Sequence, residues 1–237
     1  TIKIAREEGL PVLPRGSGTS QNGQAIGEAV LIDTTRHLNE LLDFDAEAKT
    51  VCVQPGLVLD QLNRFLKPHG LFYPVDVSTA NRATLGGMTG NNSCGARSIR
   101  YGNMVHNVLS VEAILADGSK AHFRRLDEGG GSVSEDLISH LLNLGRREAD
   151  EINKRFPKLL RRVGGYNIDE LTKGSPNLGS LLVGSEGTLG FFQKIHLKLQ
   201  TIPKEKVLGV CHFPTFYEAM ESTQHIVKLD PTAVELV

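Results

Sequence analysis

Tryptophan is absent from the chain, and aromatic residues fill only 5% of its 237 positions. The interior must therefore be held mainly by aliphatic packing. Cysteine is almost as scarce: Cys52, Cys94 and Cys211 are odd in number and far apart. No C-x-x-C or H-x-x-x-H pairing occurs, so the spacing predicts neither a zinc site nor an iron–sulfur site. Such sparse cysteine suits a reducing cytoplasm. Neither charge is in excess, with 26 Lys and Arg against 27 Asp and Glu. A nucleic-acid partner usually demands a strong basic excess, so none is expected. No apolar run approaches the roughly 18 residues that span a bilayer. No signal peptide precedes Thr1, although the chain opens inside what reads as a helix, so residues before Thr1 are expected.

What is present is glycine, 25 residues of it, and it clusters. A hydrophobic content of 40% is enough for a real core, in one large domain or two subdomains. Residues 1–9 read as a helix end closed by Gly9. Pro11–Pro14 and Ala29–Asp33 read as short strands on either side of a glycine-rich loop. A polar turn at Asp45–Lys49 separates two more, Leu41–Phe44 and Thr50–Gln54. Leu59, Leu62, Phe65 and Leu66 carry helical spacing, ended by Pro68 and Gly70. Residues 71–102 show little periodicity and many small side chains, which predicts a long functional loop. Val108–Leu115 and Lys120–Phe123 are strands joined by an Asp117-Gly118 hairpin turn. Ser132-x-x-Glu135 predicts a capping box opening a helix that aligns Leu137, Leu141 and Leu144. The charged stretch Arg146–Arg155 reads as a solvated helix face. Residues 177–200 read as glycine turns alternating with strands, with strict alternation at Ile195, Leu197 and Leu199. From Val207 a new unit is predicted: a strand, a helix near Tyr217–Val227 and a strand at Ala233–Val237.

Three segments could carry chemistry. In the first, Pro14-Arg15-Gly16-Ser17-Gly18-Thr19-Ser20, glycines permit positive φ, so successive backbone N–H groups can face one concavity. Ser17, Thr19 and Ser20 add hydroxyls, and Arg15 adds a positive charge; together they suit a diphosphate. An ordinary surface turn is the alternative, since one glycine loop is a weak signal. No G-x-x-x-x-G-K-[ST] occurs, and Gln21 stands where a Rossmann loop needs its third glycine. The second segment, Ser78–Gly95, lets backbone approach a flat ring closely, and its Asn and Thr side chains can bond ring heteroatoms; the alternative is a ligand-free Ω-loop. The third, Gly184–Gly190, contains Glu186, which can accept from a hydroxyl or amide, or can simply be solvated.

Six blocks occur in order: PRGSGTSQNGQ at 14–24, VQPG at 53–56, GLFYPVD at 70–76, TLGGMTGNNSCGARSIRYG at 84–102, VEAILADG at 111–118 and GSEGTLGFF at 184–192. This set resembles the FAD-binding domain of the vanillyl-alcohol oxidase, or p-cresol methylhydroxylase, family. It is closest to the D-2-hydroxy-acid branch: glycolate oxidase, D-lactate dehydrogenases and D-2-hydroxyglutarate dehydrogenases. The resemblance implies an α+β fold of two subdomains with FAD between them, over residues 1–202. Residues 203–237 would begin a separate, truncated substrate domain. It further implies cofactor contacts from Pro14, Arg15, Gly16, Ser17, Gly18, Thr19 and Ser20 to the pyrophosphate. Ser78, Thr79, Thr84, Gly86, Gly87, Asn91, Ser93, Cys94 and Gly95 would line the diphosphate and flavin, with Tyr101 and Gly102 beside them. Glu186, Gly187, Thr188 and Gly190 would close the adenosine side.

Some relatives attach FAD through a histidine in the first loop, and others through a cysteine just before T-x-G-G. Here the loop holds no histidine, and Arg82 and Ala83 precede Thr84, which implies non-covalent FAD. The branch's C-terminal H-x-G-D-G-N-x-H segment, which supplies its metal and base, is not found in this sequence. The eight histidines are scattered and read as ordinary surface or core residues. The implied activity is oxidation of a D-2-hydroxy acid by hydride transfer to the flavin, with base and carboxylate clamp lying beyond Val237. An electron acceptor is implied, with an iron–sulfur unit, fused or separate, as one alternative. The implied location is the cytoplasm or the periphery of the inner membrane. The rival readings are an oxidase of the same fold acting on an alcohol, aldehyde or sugar, and a non-catalytic nucleotide-binding module.

Overall fold

The computed structural model describes residues 1–129, 131–159 and 161–237. Helix α1 (Ile2–Glu7) leads into a parallel pair, β1 (Val12–Arg15) and β2 (Val30–Asp33). Gly9 follows α1 at φ 65°, the left-handed conformation that ends a helix. The hairpin β3 (Leu41–Asp45) and β4 (Thr50–Val53) comes next, then α2 (Leu59–Leu66) and β5 (Leu71–Phe72). Three short helices follow: α3 (Leu85–Asn91), α4 (Ser98–Tyr101) and α5 (Met104–Asn107). The hairpin β6 (Val108–Ile114) and β7 (Lys120–Phe123) precedes α6 (Glu135–Arg147) and α7 (Ala149–Arg155). The chain continues through α8 (Gly179–Leu182), β8 (Phe191–Lys198), β9 (Gln200–Thr201) and α9 (Phe216–Ile226).

The larger unit is an antiparallel sheet in the order β3-β4-β8-β6-β7. The late strand β8 sits between β4 and β6, so residues far apart in sequence share its register. Period-2 alternation sends Val51, Val53, Val111, Ala113, Ile195 and Leu197 to one face, where all are buried. Leu59, Leu62 and Leu66 of α2 join the same core at one helical stripe. Burying each such leucine contributes about 1.5–3 kcal/mol. Leu137, Leu141 and Leu144 of α6 pack partly against it, as their spacing predicts. The smaller unit is the β1–β2 pair with its glycine loop. The fold is thus α+β in two parts.

Several expectations need correction. Residues 71–102 are not one long loop, since α3 and α4 lie within them. The sequence Leu-Gly-Gly-Met-Thr-Gly-Asn is a poor helix former, each glycine costing about 1 kcal/mol relative to alanine. Tertiary packing overrides this: Leu85 and Met88 are buried, and the Thr89 hydroxyl bonds Leu85 O at 2.7 Å. Gly86 is there for room, because a Cβ on it would fall 2.5 Å from Pro55 Cβ. The helix α6 is capped by Ser134, whose Oγ accepts from Leu137 N, and not by Ser132. The Ser132 hydroxyl is engaged elsewhere, accepting from His122 N at 3.0 Å. Residues 179–182 form a helix where only turns and strands were expected. The helix predicted near 217–227 is α9, but neither flanking strand forms among the described residues. An isolated strand needs a neighbouring ladder, and the five-stranded sheet offers none to this segment.

Candidate functional site

The three glycine-rich segments meet through their glycines. A Cβ on Gly16 would lie 2.0 Å from Thr84 Oγ1, and one on Gly187 would lie 3.1 Å from Pro14 Cγ. Between the other two segments, Gly184 N donates to Thr89 O and Glu186 N to Gly90 O, both at 2.9 Å. Ser17 Oγ adds a tie to Arg82 O at 2.6 Å. At Gly16 and Gly187 a larger residue would collide with the Thr84 and Pro14 side chains.

These segments enclose an open cleft of about 1130 Å³, counted to its solvent mouth, between the β1–β2 unit and the large sheet. All seven predicted residues from Pro14 to Ser20 line it, with Thr79, Thr84, Gly86, Gly87, Asn91, Ser93, Glu186, Gly187 and Gly190. Six predicted residues stand outside the lining. Ser78 is exposed, and Gly95 is packed so tightly on Asp76 that a Cβ would fall 2.1 Å from its carbonyl oxygen. Cys94 Sγ accepts from Arg161 Nη2 at 3.1 Å, and Tyr101 stacks edge-on against Phe72. Gly102 turns the chain at φ 74° against His106, and Thr188 Oγ1 bonds Ser185 O and Tyr166 Oη.

Sequence reasoning missed Gln24, Ala25, Thr34, Pro55, Val77, Met88, Gly90, Phe191 and Phe192 as lining residues, while Ala83 falls inside the expected 78–84 stretch. Gln24, Pro55, Met88, Gly90 and both phenylalanines lie inside the quoted blocks, so a signal existed. Thr34 had none; β2 pairing brings it beside Arg15, whose carbonyl accepts from its N–H and its hydroxyl.

The cleft has unmet hydrogen-bonding capacity. The five backbone N–H groups from Gly16 to Ser20 have no partner among the described residues, and Gly18 holds φ 66°. Arg15 Nε and Gln24 Oε1 are buried and also unpaired. Unpaired buried polar groups are costly, so Arg15 Nε and Gln24 Oε1 in one cleft point to a polar ligand, which the loop N–H groups, exposed from Ser17 to Ser20, are open to meet. The start of α3 is different: the N–H groups of Leu85, Gly86 and Gly87 are taken by Leu57 O, Pro55 O and Thr84 Oγ1. The donor set is therefore the first loop, not the helix.

Charge in the lining is limited to Arg15 and Glu186. Arg15 stands 3.9 Å from Asp33, whose carboxyl is held below the usual range mainly by the Thr35 hydroxyl and N–H. Glu186 Oε1 accepts from Asn91 Nδ2 at 2.8 Å, with the Glu186 backbone at φ 51°. That left-handed conformation is uncommon for a non-glycine residue and aims the side chain at Asn91.

Residues 1–124, more than half of the chain, match the family model described as FAD binding domain. The chain belongs to that family. The FAD-binding domain is 34% identical over 241 residues to D-2-hydroxyglutarate dehydrogenase of Pseudomonas putida, covering 98% of this chain and 24% of that protein. It is 32% identical over 227 residues to the probable mitochondrial D-lactate dehydrogenase of Danio rerio, covering 95% and 37%. The chain thus spans 24% and 37% of these two relatives. A solved structure of alkyldihydroxyacetonephosphate synthase shares the fold at a TM-score of 0.65 and 21% identity, over 98% of this chain and 35% of that one. The cofactor of the FAD-binding domain is FAD, and the unpaired donors at Arg15–Ser20 fit its pyrophosphate. Among the described residues, no helix is long and apolar enough to cross a membrane.

Proposed function

We propose that residues 1–202 hold FAD non-covalently, and that the protein carrying this domain oxidises a D-2-hydroxy acid. When bound, FAD supplies an acceptor for the hydride leaving the substrate's α-carbon. The observation that carries the reading is the set of unpaired donors at Gly16–Ser20 and Arg15. In this reading those donors grip the pyrophosphate, Thr79, Thr84, Asn91 and Ser93 orient the rest of the cofactor, and Glu186 closes the opposite rim. Non-covalent attachment is supported by the lining, which contains no histidine, cysteine or tyrosine to bond a flavin ring. The Arg15 charge would offset the diphosphate.

The cleft residues orient and bind; they do not deprotonate. Glu186 is the one acid of the lining and is already committed to Asn91. The substrate's base and carboxylate clamp are therefore assigned to a further domain. Residues 203–237 would begin it, consistent with Val207 and Leu208 at 97% and 87% exposure. The relatives' names, a D-2-hydroxyglutarate and a D-lactate dehydrogenase, support the substrate class.

The test uses the full-length protein carrying this domain. Acid precipitation should leave the flavin in the supernatant, and flavin retained in the pellet overturns non-covalent binding. Anaerobic addition of D-2-hydroxyglutarate, D-lactate or glycolate should bleach the flavin. Bleaching by a simple alcohol, aldehyde or sugar but by none of these acids would reject the substrate class.

A further inference from the structure

The face of the five-stranded sheet opposite the core carries a second constellation. Cys52 on β4 lies opposite His196 on β8, His196 opposite Ser110 on β6, and Glu112 on β6 opposite both Lys194 and His122. Because opposed residues share a face, Cys52, His196, Glu112 and His122 form one row across four adjacent strands. One ring nitrogen of each histidine and one Glu112 oxygen all lie within 4.8 Å of one another. Nε2 of His196 is 3.9 Å from Glu112 Oε1 and 3.4 Å from Cys52 Sγ. A tetrahedral zinc ion separates a sulfur and a nitrogen ligand by about 3.5 Å, given its usual bond lengths. Sequence spacing concealed this row, because it is assembled by pairing a strand near residue 50 with one near residue 195.

We propose that Cys52, His196, Glu112 and His122 form a binding site for a zinc-type divalent transition metal, stapling β4, β8, β6 and β7. Two imidazoles, a carboxylate and a thiol are the donor types such an ion selects. An imidazole is largely neutral near neutral pH, the form that ligates. Cys52 is 6% exposed, and burial pushes its thiol up to about 11. Metal binding therefore releases the thiol proton to solvent and forms the sulfur–metal bond in its place. Two groups compete with the ion: Ser110 Oγ, 2.8 Å from His122 Nε2, and Lys194, whose Nζ sits 3.0 Å from Glu112 Oε2. Its half-exposed chain can swing away, and its ammonium must do so when the ion enters.

The full-length protein is treated with a chelator and titrated with Co²⁺, then with Zn²⁺ in competition. Wild type should develop a sulfur-to-cobalt charge-transfer band that zinc abolishes. Cys52→Ser and His196→Ala should each lose the band, whereas Lys194→Ala should tighten zinc binding by about fivefold. No variant is needed for the second readout: in urea within the unfolding transition, where Cys52 becomes accessible, zinc should slow its alkylation in the wild-type protein, followed by peptide mass mapping. Absence of the band, its persistence in Cys52→Ser or in His196→Ala, or equal alkylation of Cys52 with and without zinc in that urea overturns the site.

Discussion

Gly16 faces Thr84 so closely that a Cβ on Gly16 would fall 2.0 Å from the Thr84 hydroxyl oxygen. That oxygen caps α3 by accepting from Gly87 N. Gly16→Ala therefore displaces the cap as well as the loop. A lost cap of this kind costs about 1 kcal/mol. The expected result is a lower melting temperature and a reduced flavin content in the purified protein. Gly174→Ala, at a glycine with open space and an ordinary φ, should change neither. Equal flavin content in the two variants would mean that the Gly16–Thr84 contact does not shape the cleft.

Arg15 allows stability and binding to be separated. Its Nε is buried without a partner, and Asp33 is held mainly by Thr35, so Arg15 adds little to the free fold. A charged donor to a phosphate, by contrast, contributes about 1.5–3 kcal/mol. Arg15→Gln should leave the apoprotein's urea midpoint unchanged or slightly raised, and weaken FAD binding about tenfold or more. Flavin fluorescence titration of the apoprotein measures the second quantity. A matching loss in both would make Arg15 a structural residue instead.

The sequence revealed what repeats locally. Alternation at Ile195, Leu197 and Leu199 specified β8, and the Asp117-Gly118 turn specified the β6–β7 hairpin. The three glycine segments were legible as a cofactor cleft because glycine is costly wherever backbones need not approach. Long-range pairing was less visible. Nothing local puts β8 between β4 and β6, so the row from Cys52 to His122 could not be read. α3 was hidden for a related reason, since Leu85 and Met88 make a helix of a glycine-rich segment only when buried. Ser132 and Ser134 are equally good caps by type; a third partner, His122 N, decides between them.

His106 predicts an acid sensitivity. Its Nδ1 accepts from Asn103 N at 3.0 Å, which only the neutral ring can do. Burial, the largest cause, holds its pKa below the ordinary 6.5. The unfolded chain therefore binds the proton more readily than the folded one. The contribution is fully present above the unfolded value and is lost as pH falls through it toward the folded value. The urea midpoint should drop from about pH 7.5 to about pH 5.5, and His106→Gln should flatten part of that drop. A slope unchanged in the variant would assign the acid sensitivity to other groups, His122 and His196 among them.

Thiol reactivity should divide Cys52 from Cys211. Only the thiolate attacks an alkylating agent. Burial raises Cys52 from 9.0 to about 11, and its side chain is almost closed to solvent, while Cys211 is exposed. At a fixed pH near 8 the raised value alone lowers the thiolate fraction about 100-fold relative to an unshifted thiol. Restricted access slows Cys52 further. With a chelator present, exposed Cys211 should be modified early while Cys52 stays unmodified until the sheet opens. Peptide mass mapping over a time course follows both sites in one sample. Urea below the unfolding transition should leave that order intact, because Cys52 is held between β3 and β8 by ladder bonds that break only when the core does. Rapid labelling of Cys52 in native buffer would mean that the β3–β4 edge opens locally, and the sheet face around His196 would then be mobile rather than fixed.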